Sequence, residues 1–292
     1  MIINPKNTYG YRETLEGVKR LSARYSGILK EEKSGKSELS REIPLLMLGH
    51  GKRKILAVSA IHGREWVTVN YLLKCLECYC EALWYNRLYA GFCLRKLFEE
   101  FTLCAVPMAN PDSVEIALHR ETPPKNFQGE YYLCKDNARG VNLNANFPFH
   151  HRKVPAYRHP GEFPSSEKET EFLINLCEKQ NFEMMFSFHS RGNTLYFRDC
   201  GNREIKGDGE IAKALGRECG YTLEKPTQKP ENYAGGFENW FRHKFRKPAF
   251  CVELVLDENR DFRKPFEDFE QALCFGKTRK TLLVAMQCLS QA

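Results

Sequence analysis

The sequence predicts an α/β fold, with a sheet flanked by helices, in a single domain that spans residues 1–292. Short apolar runs alternate along the chain with helical patterns, which is typical of such folds. The length of 292 residues is within the reach of one large α/β core, and the chain shows no internal repeat, low-complexity tract or linker. Its content of 42% hydrophobic and 28% charged residues is that of an ordinary folded protein.

The elements follow from the periodicity of apolar residues, taken in chain order. Helical spacing predicts helices at residues 11–26, 66–86, 110–118, 165–180, 207–218, 236–244 and 265–289. Short apolar runs predict strands at "EIPLLMLG", "RKILAVSA", "FTLCAVP", "EMMFSFH", "NTLYFR" and "PAFCVELV". In "PSSEKETEFLINL" a serine precedes a glutamate at capping distance, which predicts a capped helix start. Residues 120–164 lack periodicity, and a loop this long is usually functional or mobile.

Charge and cysteine content narrow the functional classes. The net charge of +7 comes from scattered Lys and Arg, without the basic stripe and stacking aromatics of a nucleic-acid-binding protein. No apolar run approaches the roughly 18 residues of a membrane span, and the first residues do not resemble a signal peptide. The twelve cysteines are therefore expected to be mainly reduced core thiols, and the expected location is cytoplasmic. The cluster "CLECYC" has no second ligand pair at the usual distance, which disfavours a structural zinc site.

Potential metal ligands follow two of the predicted strands. His62 and Glu65 lie where "KILAVSA" gives way to a helix, and His189 and Ser190 end the strand "MMFSFHS". In open α/β sheets, ligands bind at the carboxyl ends of strands. The two histidines and Glu65 are therefore expected to approach one another.

Glu253 is the one charged residue in the apolar strand "FCVELV". Because an unpaired buried carboxylate is costly, it pairs with an arginine or has a chemical role. In the second case its pKa would be raised and it would act as a general base beside a metal. Two histidines and one carboxylate are the three protein ligands of a catalytic zinc site, here with one ion, and the predicted reaction is metal-assisted hydrolysis.

The order of several motifs resembles the zinc carboxypeptidase family. "HGREW", "NPDS", "RGVNLNANF", "SFHS", "YAGG" and "CVEL" occur in the family's order, over residues 5–285. The resemblance implies a mixed, mostly eight-stranded twisted sheet flanked by helices. It also implies His62, Glu65 and His189 as zinc ligands and Glu253 as the general base.

The resemblance implies further residues that contact the substrate. Tyr233 matches the family's mobile tyrosine, and Arg64 matches a residue that touches substrate; alone, each is typical of an ordinary surface side chain. Ser190 is a further candidate for substrate binding. Arg139 is the predicted donor to the oxyanion, with Lys135 as its rival.

Two positions depart from the family's Gly-Val-Asp-Leu-Asn-Arg-Asn motif, which here is "GVNLNAN", residues 140–146. Asn142 replaces an aspartate that accepts a hydrogen bond from a ligand histidine; the amide accepts this bond without adding charge. Ala145 replaces the arginine that forms a bidentate pair with the substrate's terminal carboxylate. Asn144 remains and donates one bond.

At Ala145 the chain resembles bacterial γ-D-glutamyl-L-diamino acid peptidases, which also lack the arginine. It resembles them again in "ENYAGGFENWF" followed by "KPAFCVEL". Such enzymes cut stem peptides of peptidoglycan before diaminopimelate or lysine. Glu238 falls where the family sets side-chain preference, and either pairs with an ammonium group of the substrate or is an ordinary exposed glutamate.

Three functional hypotheses follow. The leading one is a zinc peptidase that hydrolyses γ-D-glutamyl–diamino acid bonds, with a peptide or muropeptide as its partner and neither nucleic acid nor membrane. The second is a conventional carboxypeptidase that has recruited another arginine, such as Arg120, Arg152 or Arg158. The third is a non-catalytic binding module, which the intact set of histidines and glutamates disfavours.

Overall fold

A mixed sheet of eight strands forms the centre of the molecule. The computed structural model describes residues 1–125, 127–199, 201–227, 229–256 and 268–291. The strands are β1 (Leu29–Lys36), β2 (Glu42–Leu48), β3 (Arg53–Ser59), β4 (Phe101–Val106), β5 (Met184–Ser190), β6 (Thr194–Tyr196), β7 (Thr222–Leu223) and β8 (Ala249–Leu254). The predicted strands and the mixed, eight-stranded sheet are confirmed.

The strand order brings four parallel strands together at the middle of the sheet. The order is β1-β2-β4-β3-β5-β8-β6-β7. The four central strands β4, β3, β5 and β8 are mutually parallel, whereas the pairs β1–β2, β2–β4 and β6–β8 are antiparallel. Since β3, β5 and β8 are adjacent and parallel, their carboxyl ends lie at the same edge of the sheet.

The described ranges also contain ten α-helices. They are α1 (Tyr11–Arg24), α2 (Val67–Trp84), α3 (Leu94–Glu100), α4 (Pro111–Ala117), α5 (Lys168–Gln180), α6 (Asp208–Cys219), α7 (Phe237–Phe245), α8 (Phe269–Ala272), α9 (Phe275–Thr278) and α10 (Thr281–Ser290). None of the helices in these ranges is long and apolar enough to cross a lipid bilayer.

The C-terminal helix predicted over 265–289 is wrong as one continuous element. It is divided into α8, α9 and α10, and residues 265–267 lie outside the described part of the chain. Cys274, between α8 and α9, has a φ of +48°, in the left-handed region, which ends a right-handed helix.

The predicted serine cap of α5 is also wrong. The N-cap is Glu167, whose side chain makes no capping bond. The hydroxyl of Ser166 instead donates to Glu167 Oε1 at 2.6 Å and accepts from Asn146 Nδ2 at 3.0 Å. Ser166 therefore stabilises the preceding loop and does not cap the helix.

Both faces of the sheet are covered by hydrophobic side chains. Along β5, Phe186 and Phe188 belong to the larger core, which includes residues of α1, α2, α6 and α10, while Met185 belongs to the core formed with α5 and α7. Successive strand residues point to opposite faces, so Ser187 and His189 share the face of Met185, toward α7. The same alternation in β8 places Cys251 and Glu253 on the α7 face, with Ala249.

The cysteines of the described chain are unpaired. All eleven are free thiols, and six of them are buried. Of the three named examples, Cys104 is buried, whereas Cys251 and Cys274 are partly exposed. The expectation of core thiols therefore holds for about half of these residues.

Candidate metal centre

Three buried side chains converge at the carboxyl ends of β3 and β5. His62 follows β3, Glu65 closes the 3₁₀ turn Gly63–Glu65, and His189 is in β5. The Nδ1 atoms of His62 and His189 each lie 3.0 Å from a different oxygen of Glu65. One ligand atom from each residue lies within 4.8 Å of the other two. The geometry expected from the sequence, with two imidazoles and one carboxylate facing a common point, is therefore present.

The donor chemistry of this group suits a divalent cation. Imidazole nitrogen and carboxylate oxygen are the usual ligands of zinc. Burial lowers the pKa of His62 to about 4, which leaves the imidazole neutral, as a metal ligand must be. Burial would raise the pKa of Glu65, but the two histidines outweigh it and hold the pKa well below its ordinary value. The ionised carboxylate and the neutral imidazole of His62 suit a metal ion. Burial would lower the pKa of His189, but its contacts with Glu238 and Glu65 outweigh burial and raise it, so a metal ion would displace a proton from this imidazole.

Each histidine is oriented by a hydrogen bond at its other ring nitrogen. His62 Nε2 lies 3.1 Å from Asn142 Oδ1, the contact expected for this asparagine. His189 Nε2 lies 3.0 Å from the hydroxyl of Ser187 and 3.5 Å from Glu238 Oε1. Such contacts fix the ring orientation and direct Nδ1 toward a metal.

Glu253 lies beside His189 on the neighbouring strand. The two residues are register partners in the β5–β8 pair, and both point toward α7. Burial raises the pKa of Glu253 to about 7, and the negative charge of Glu65 adds to this effect. Its Oε2 is buried and has no hydrogen-bond partner among the described residues. Within the same ranges it makes no ion pair with an arginine, so the structure does not support the purely structural explanation.

A cavity of about 220 Å³ opens beside Glu253 on the α7 side. Glu238 and Arg242 of α7, Cys251 of β8, and Tyr233 are among its lining residues. Although burial would raise the pKa of Glu238, its contacts with His189 outweigh burial and lower the pKa. The cavity therefore presents an ionised carboxylate next to the candidate base.

A second cavity, of about 630 Å³, opens on the His62 side. Lys135, Asn142 and Tyr157 line it together with His62. Asn144 and Arg158 line both cavities. The candidate metal centre is therefore reached from two sides, which meet at Asn144 and Arg158.

The structure separates the two candidates for the oxyanion donor. Arg139 is 51% exposed, lies 3.7 Å from Glu167 through its Nε, and lines neither cavity. Lys135 lines the cavity of His62, and its charge lowers the pKa values of both His62 and Glu253. The placement favours Lys135 over Arg139 because the role needs a donor near the metal.

Of the other predicted substrate residues, Tyr233 and Asn144 line a cavity, whereas Arg64 and Ser190 line neither of the two. Tyr233 lines the Glu253 cavity, and its hydroxyl accepts a bond from Thr227 N at 2.6 Å. Asn144 accepts a bond from Phe237 N at 2.7 Å. Arg64 Nε lies 3.9 Å from Glu65 Oε1. Ser190 is buried, with an Oγ that has no hydrogen-bond partner among the described residues.

Of the three arginines considered as replacements for the missing one, Arg158 is the one that reaches the site. Its guanidinium donates to Glu231 O at 2.8 Å and to Asn144 O at 3.1 Å. Arg120 instead pairs with Glu13 at 2.8 Å, and Arg152 is exposed and lines neither cavity.

Sequence reasoning missed two residues of the site. Ser187, two positions before His189, shares its face of β5, so strand alternation alone could have identified it. Arg242 is four residues after Glu238 on α7, so helical spacing places both on one face. Neither residue type stands out in its apolar or basic surroundings.

Comparisons with known proteins agree with this geometry. The profile of the zinc carboxypeptidase family matches residues 15–273. Gamma-D-glutamyl-L-diamino acid endopeptidase 1 of Lysinibacillus sphaericus is 28% identical over 278 residues, which cover 88% of this chain and 68% of that protein. Among solved structures, bovine thrombin-activatable fibrinolysis inhibitor is similar with a TM-score of 0.77 and 17% identity, over 99% of both chains. The murein-tripeptide amidase MpaA of Escherichia coli O157 is similar with a TM-score of 0.54 and 17% identity, over 88% of this chain and 91% of that chain.

The family profile spans most of the chain and includes His62, Glu65, His189 and Glu253. The two structural similarities extend over 99% and 88% of this chain, each at 17% sequence identity. On the profile match, the chain belongs to the zinc carboxypeptidase family, whose members are zinc-dependent hydrolases of peptide bonds.

Proposed function

We propose that this peptidase hydrolyses the bond between the γ-carboxyl group of D-glutamate and a diamino acid in peptidoglycan stem peptides. One zinc ion would be held by His62, Glu65 and His189. The observation that carries the proposal is a buried carboxylate in the cavity beside Glu253, combined with an alanine at the position where the family has an arginine. Glu238 lies in the cavity beside Glu253, while Ala145 is fully buried and lines neither cavity.

The reaction follows from the placement of the side chains. A bound zinc ion supplies a Lewis acid that polarises a carbonyl group and acidifies water. Glu253, with a pKa raised to about 7, is suited to take up the proton of the attacking water and to pass it to the leaving amine. Lys135, on the His62 side, is placed to stabilise negative charge on the carbonyl oxygen.

Ala145 supports a substrate that does not end at the cleaved residue. It packs with Val154 and Ala234 in a small apolar cluster. No side chain at this position reaches the cavity to bind a terminal carboxylate, so the usual bidentate anchor is absent. A substrate with further residues after the diamino acid does not need that anchor.

Glu238 supports the diamino acid itself. Its ionised carboxylate is buried and lines the cavity on the side where the leaving amino acid would lie. An ammonium group on that amino acid would compensate the buried charge. The relative from Lysinibacillus sphaericus, whose name states this specificity, adds independent support.

A second candidate function is removal of C-terminal residues from α-linked peptides. Arg158 favours it, because this arginine lines both cavities beside Asn144 and offers a cation for a terminal carboxylate. The two terminal nitrogens of Arg158 already donate to backbone carbonyls, so Arg158 would have to give up these hydrogen bonds to bind a terminal carboxylate.

The test is mass spectrometry of two defined peptides after incubation with the zinc-loaded protein. One is a muropeptide with the stem L-Ala-γ-D-Glu-diaminopimelate-D-Ala, and the other is an α-linked peptide of equal length. Cleavage after γ-D-glutamate, with the diamino acid and D-Ala released together, is the expected result. Release of only the last residue from either peptide would favour the second candidate and overturn the first.

A further inference from the structure

The cavity beside Glu253 is lined by charged side chains of both signs. Glu253 and Glu238 contribute carboxylates next to the metal-binding group. Arg158, Arg198 and Arg242 contribute three guanidinium groups, and Glu224 and Lys225 are the remaining charged residues of its lining. A ligand with one charge of each sign therefore suits the cavity better than a simple cation.

Arg242 has unused donors. Its side chain is only 3% exposed. Nη2 donates to Asp208 Oδ2 at 2.9 Å and to the carbonyl of Arg203 at 2.8 Å. Nε and Nη1 are buried and have no hydrogen-bond partner among the described residues. Because unpaired buried donors are rare and costly, they indicate a missing acceptor.

The charges around Arg242 favour the binding of an anion. Arg198 Nη2 also lies near Asp208, at 3.7 Å from Oδ1, and 3.5 Å from Glu204, whose side chain is 68% exposed. Two guanidinium groups therefore share one fully buried carboxylate. Arg198 and Arg242 therefore carry more positive charge than Asp208 alone balances.

Glu238 and Arg242 are one helical turn apart on the same face of α7. Side chains at this spacing have Cβ atoms about 5–6 Å apart, a distance that an amino-acid group, with its ammonium and carboxylate on one carbon, can bridge. The side chain of diaminopimelate ends in such a group. The side chain of lysine ends in an ammonium alone and would leave the donors of Arg242 unpaired.

We propose that this cavity binds the amino-acid group at the end of a diaminopimelate side chain, with Glu238 on its ammonium and Arg242 on its carboxylate. The chain then selects diaminopimelate over lysine. This inference rests on the proposed function, since it assumes that a diamino acid occupies the cavity.

The test compares three substrates that differ only in the side-chain terminus. They are γ-D-glutamyl peptides of diaminopimelate, of diaminopimelate with its side-chain carboxyl group amidated, and of lysine. For the unaltered protein, kcat/KM for the free carboxylate is expected to exceed that for the amide and for lysine by about tenfold to a hundredfold, the effect of one hydrogen-bonded charge. Equal rates on the three would overturn the inference but leave the proposed function intact.

Variants then assign the selectivity to Arg242. Arg242→Lys keeps a positive charge beside Asp208 but loses the planar fork, and is expected to reduce the ratio of carboxylate to amide substrate. In the double variant Arg242→Met with Asp208→Asn, which removes both buried charges, the ratio is expected to fall to about one. The matched control is Lys244→Met, a 53% exposed cation on the opposite face of α7, which should keep the full ratio.

A ratio is the deciding readout because loss of folded protein lowers the rates on all substrates equally. An unchanged ratio in both Arg242 variants would overturn the role of this residue. Failure of the unaltered protein to cut any of the three substrates would overturn the proposed function as well, which separates the two failures.

Discussion

Glu253 is a charged residue in an otherwise apolar strand, and this placement indicates a chemical role. A carboxylate in an apolar strand, with one buried oxygen unpaired, destabilises the fold unless it has a compensating role. Its partner in the sheet is His189, a candidate metal ligand. Raised to about 7, its pKa suits a group that takes up and returns a proton near neutral pH.

Glu253→Gln is therefore expected to lower kcat by about 10²- to 10⁴-fold, the usual contribution of a general base. Glutamine keeps the shape of the side chain but cannot accept the proton. Zinc content, measured by atomic emission, should remain at one ion per chain, since Glu253 is not one of the three converging ligands. Turnover close to that of the unaltered protein would contradict the role of Glu253 as base.

Substitutions of Asn142 are expected to change the affinity of the site for a metal ion. Its side-chain oxygen accepts from His62 Nε2 at 3.1 Å without a charge. Asn142→Asp adds a negative charge behind the ligand and is expected to tighten zinc binding by about tenfold or more, whereas Asn142→Ala should weaken it. Competition with a chelator measures both dissociation constants, and weaker binding by the aspartate variant would refute the explanation.

At the scale of elements, buried glutamates at the start of α5 form hydrogen bonds that hold the long loop of residues 120–164 against the domain. Asn137 Nδ2 donates to Glu167 at 2.7 Å and to Glu169 at 3.3 Å, and Glu38 N donates to Glu169 at 3.1 Å. Asp112, also buried, is close enough for its charge to act on Glu169. The loop that carries Lys135, Asn142 and Arg158 thus depends on a group of carboxylates that repel one another.

Burial raises the pKa of Glu169 from its ordinary value of 4.5 to about 7, so the folded state binds this proton more tightly than the unfolded state does. The resulting stabilisation is complete below about pH 4.5 and is lost as the pH rises through about 7. Glu169→Gln should remove this dependence. From about pH 5 to about pH 8, the free energy of unfolding of the variant is expected to improve by about 1–3 kcal/mol relative to the unaltered protein.

Urea unfolding at several pH values measures this difference. Glu171→Gln, an exposed position on the same helix, is the matched control and should show no such trend. A difference between Glu169→Gln and the unaltered protein that does not change with pH would contradict the assigned pKa.

At the scale of the whole molecule, the candidate metal centre joins parts of the chain that are far apart in sequence. Glu65 and His189 are separated by 124 residues. Glu253 and Glu238 lie next to them, so three carboxylates surround His189. A cation at this point would remove much of the repulsion between them and stabilise the entire sheet edge.

Removal of zinc is therefore expected to lower the melting temperature, and addition of zinc to restore it. At a free zinc concentration about 1,000 times the Kd, the stabilisation is about 4 kcal/mol. Thermal unfolding with chelator, and after zinc is returned, measures the shift. The variant His189→Ala should show little or no shift, and an equal shift in both proteins would place the zinc elsewhere.

The central part of the fold was predictable because the signals there are local. Apolar runs mark β3, β5 and β8, and a polar residue at the end of such a run stands out, as His62, His189 and Glu253 do. β1 was missed because its sequence, "LKEEKSGK", belongs to a polar edge strand without an apolar run. The short α3, "LRKLFEE", was missed because seven residues span too few turns to show periodicity.

The positions of Lys135, Arg139 and Arg158 were harder to predict because these residues lie on a loop without periodicity. Nothing in the sequence between 120 and 164 indicates that Lys135 lies by His62 while Arg139 points to Glu167. The same holds for Arg158, which reaches both cavities through a fold of the loop that only tertiary contacts determine. Hydrogen bonds from side chains to the backbone, such as that from Asn146 Nδ2 to Pro160 O at 2.8 Å, set this path.

The register between β5 and β8 has an evolutionary consequence. His189 and Glu253 face each other across neighbouring strands, and main-chain hydrogen bonds hold such strands about 4.8 Å apart. Changes in the loops and in α7, where the proposed selectivity residues lie, therefore leave the spacing between the candidate ligand and the candidate base unchanged. New specificities can arise by drift at those outer positions while the chemistry is inherited unchanged.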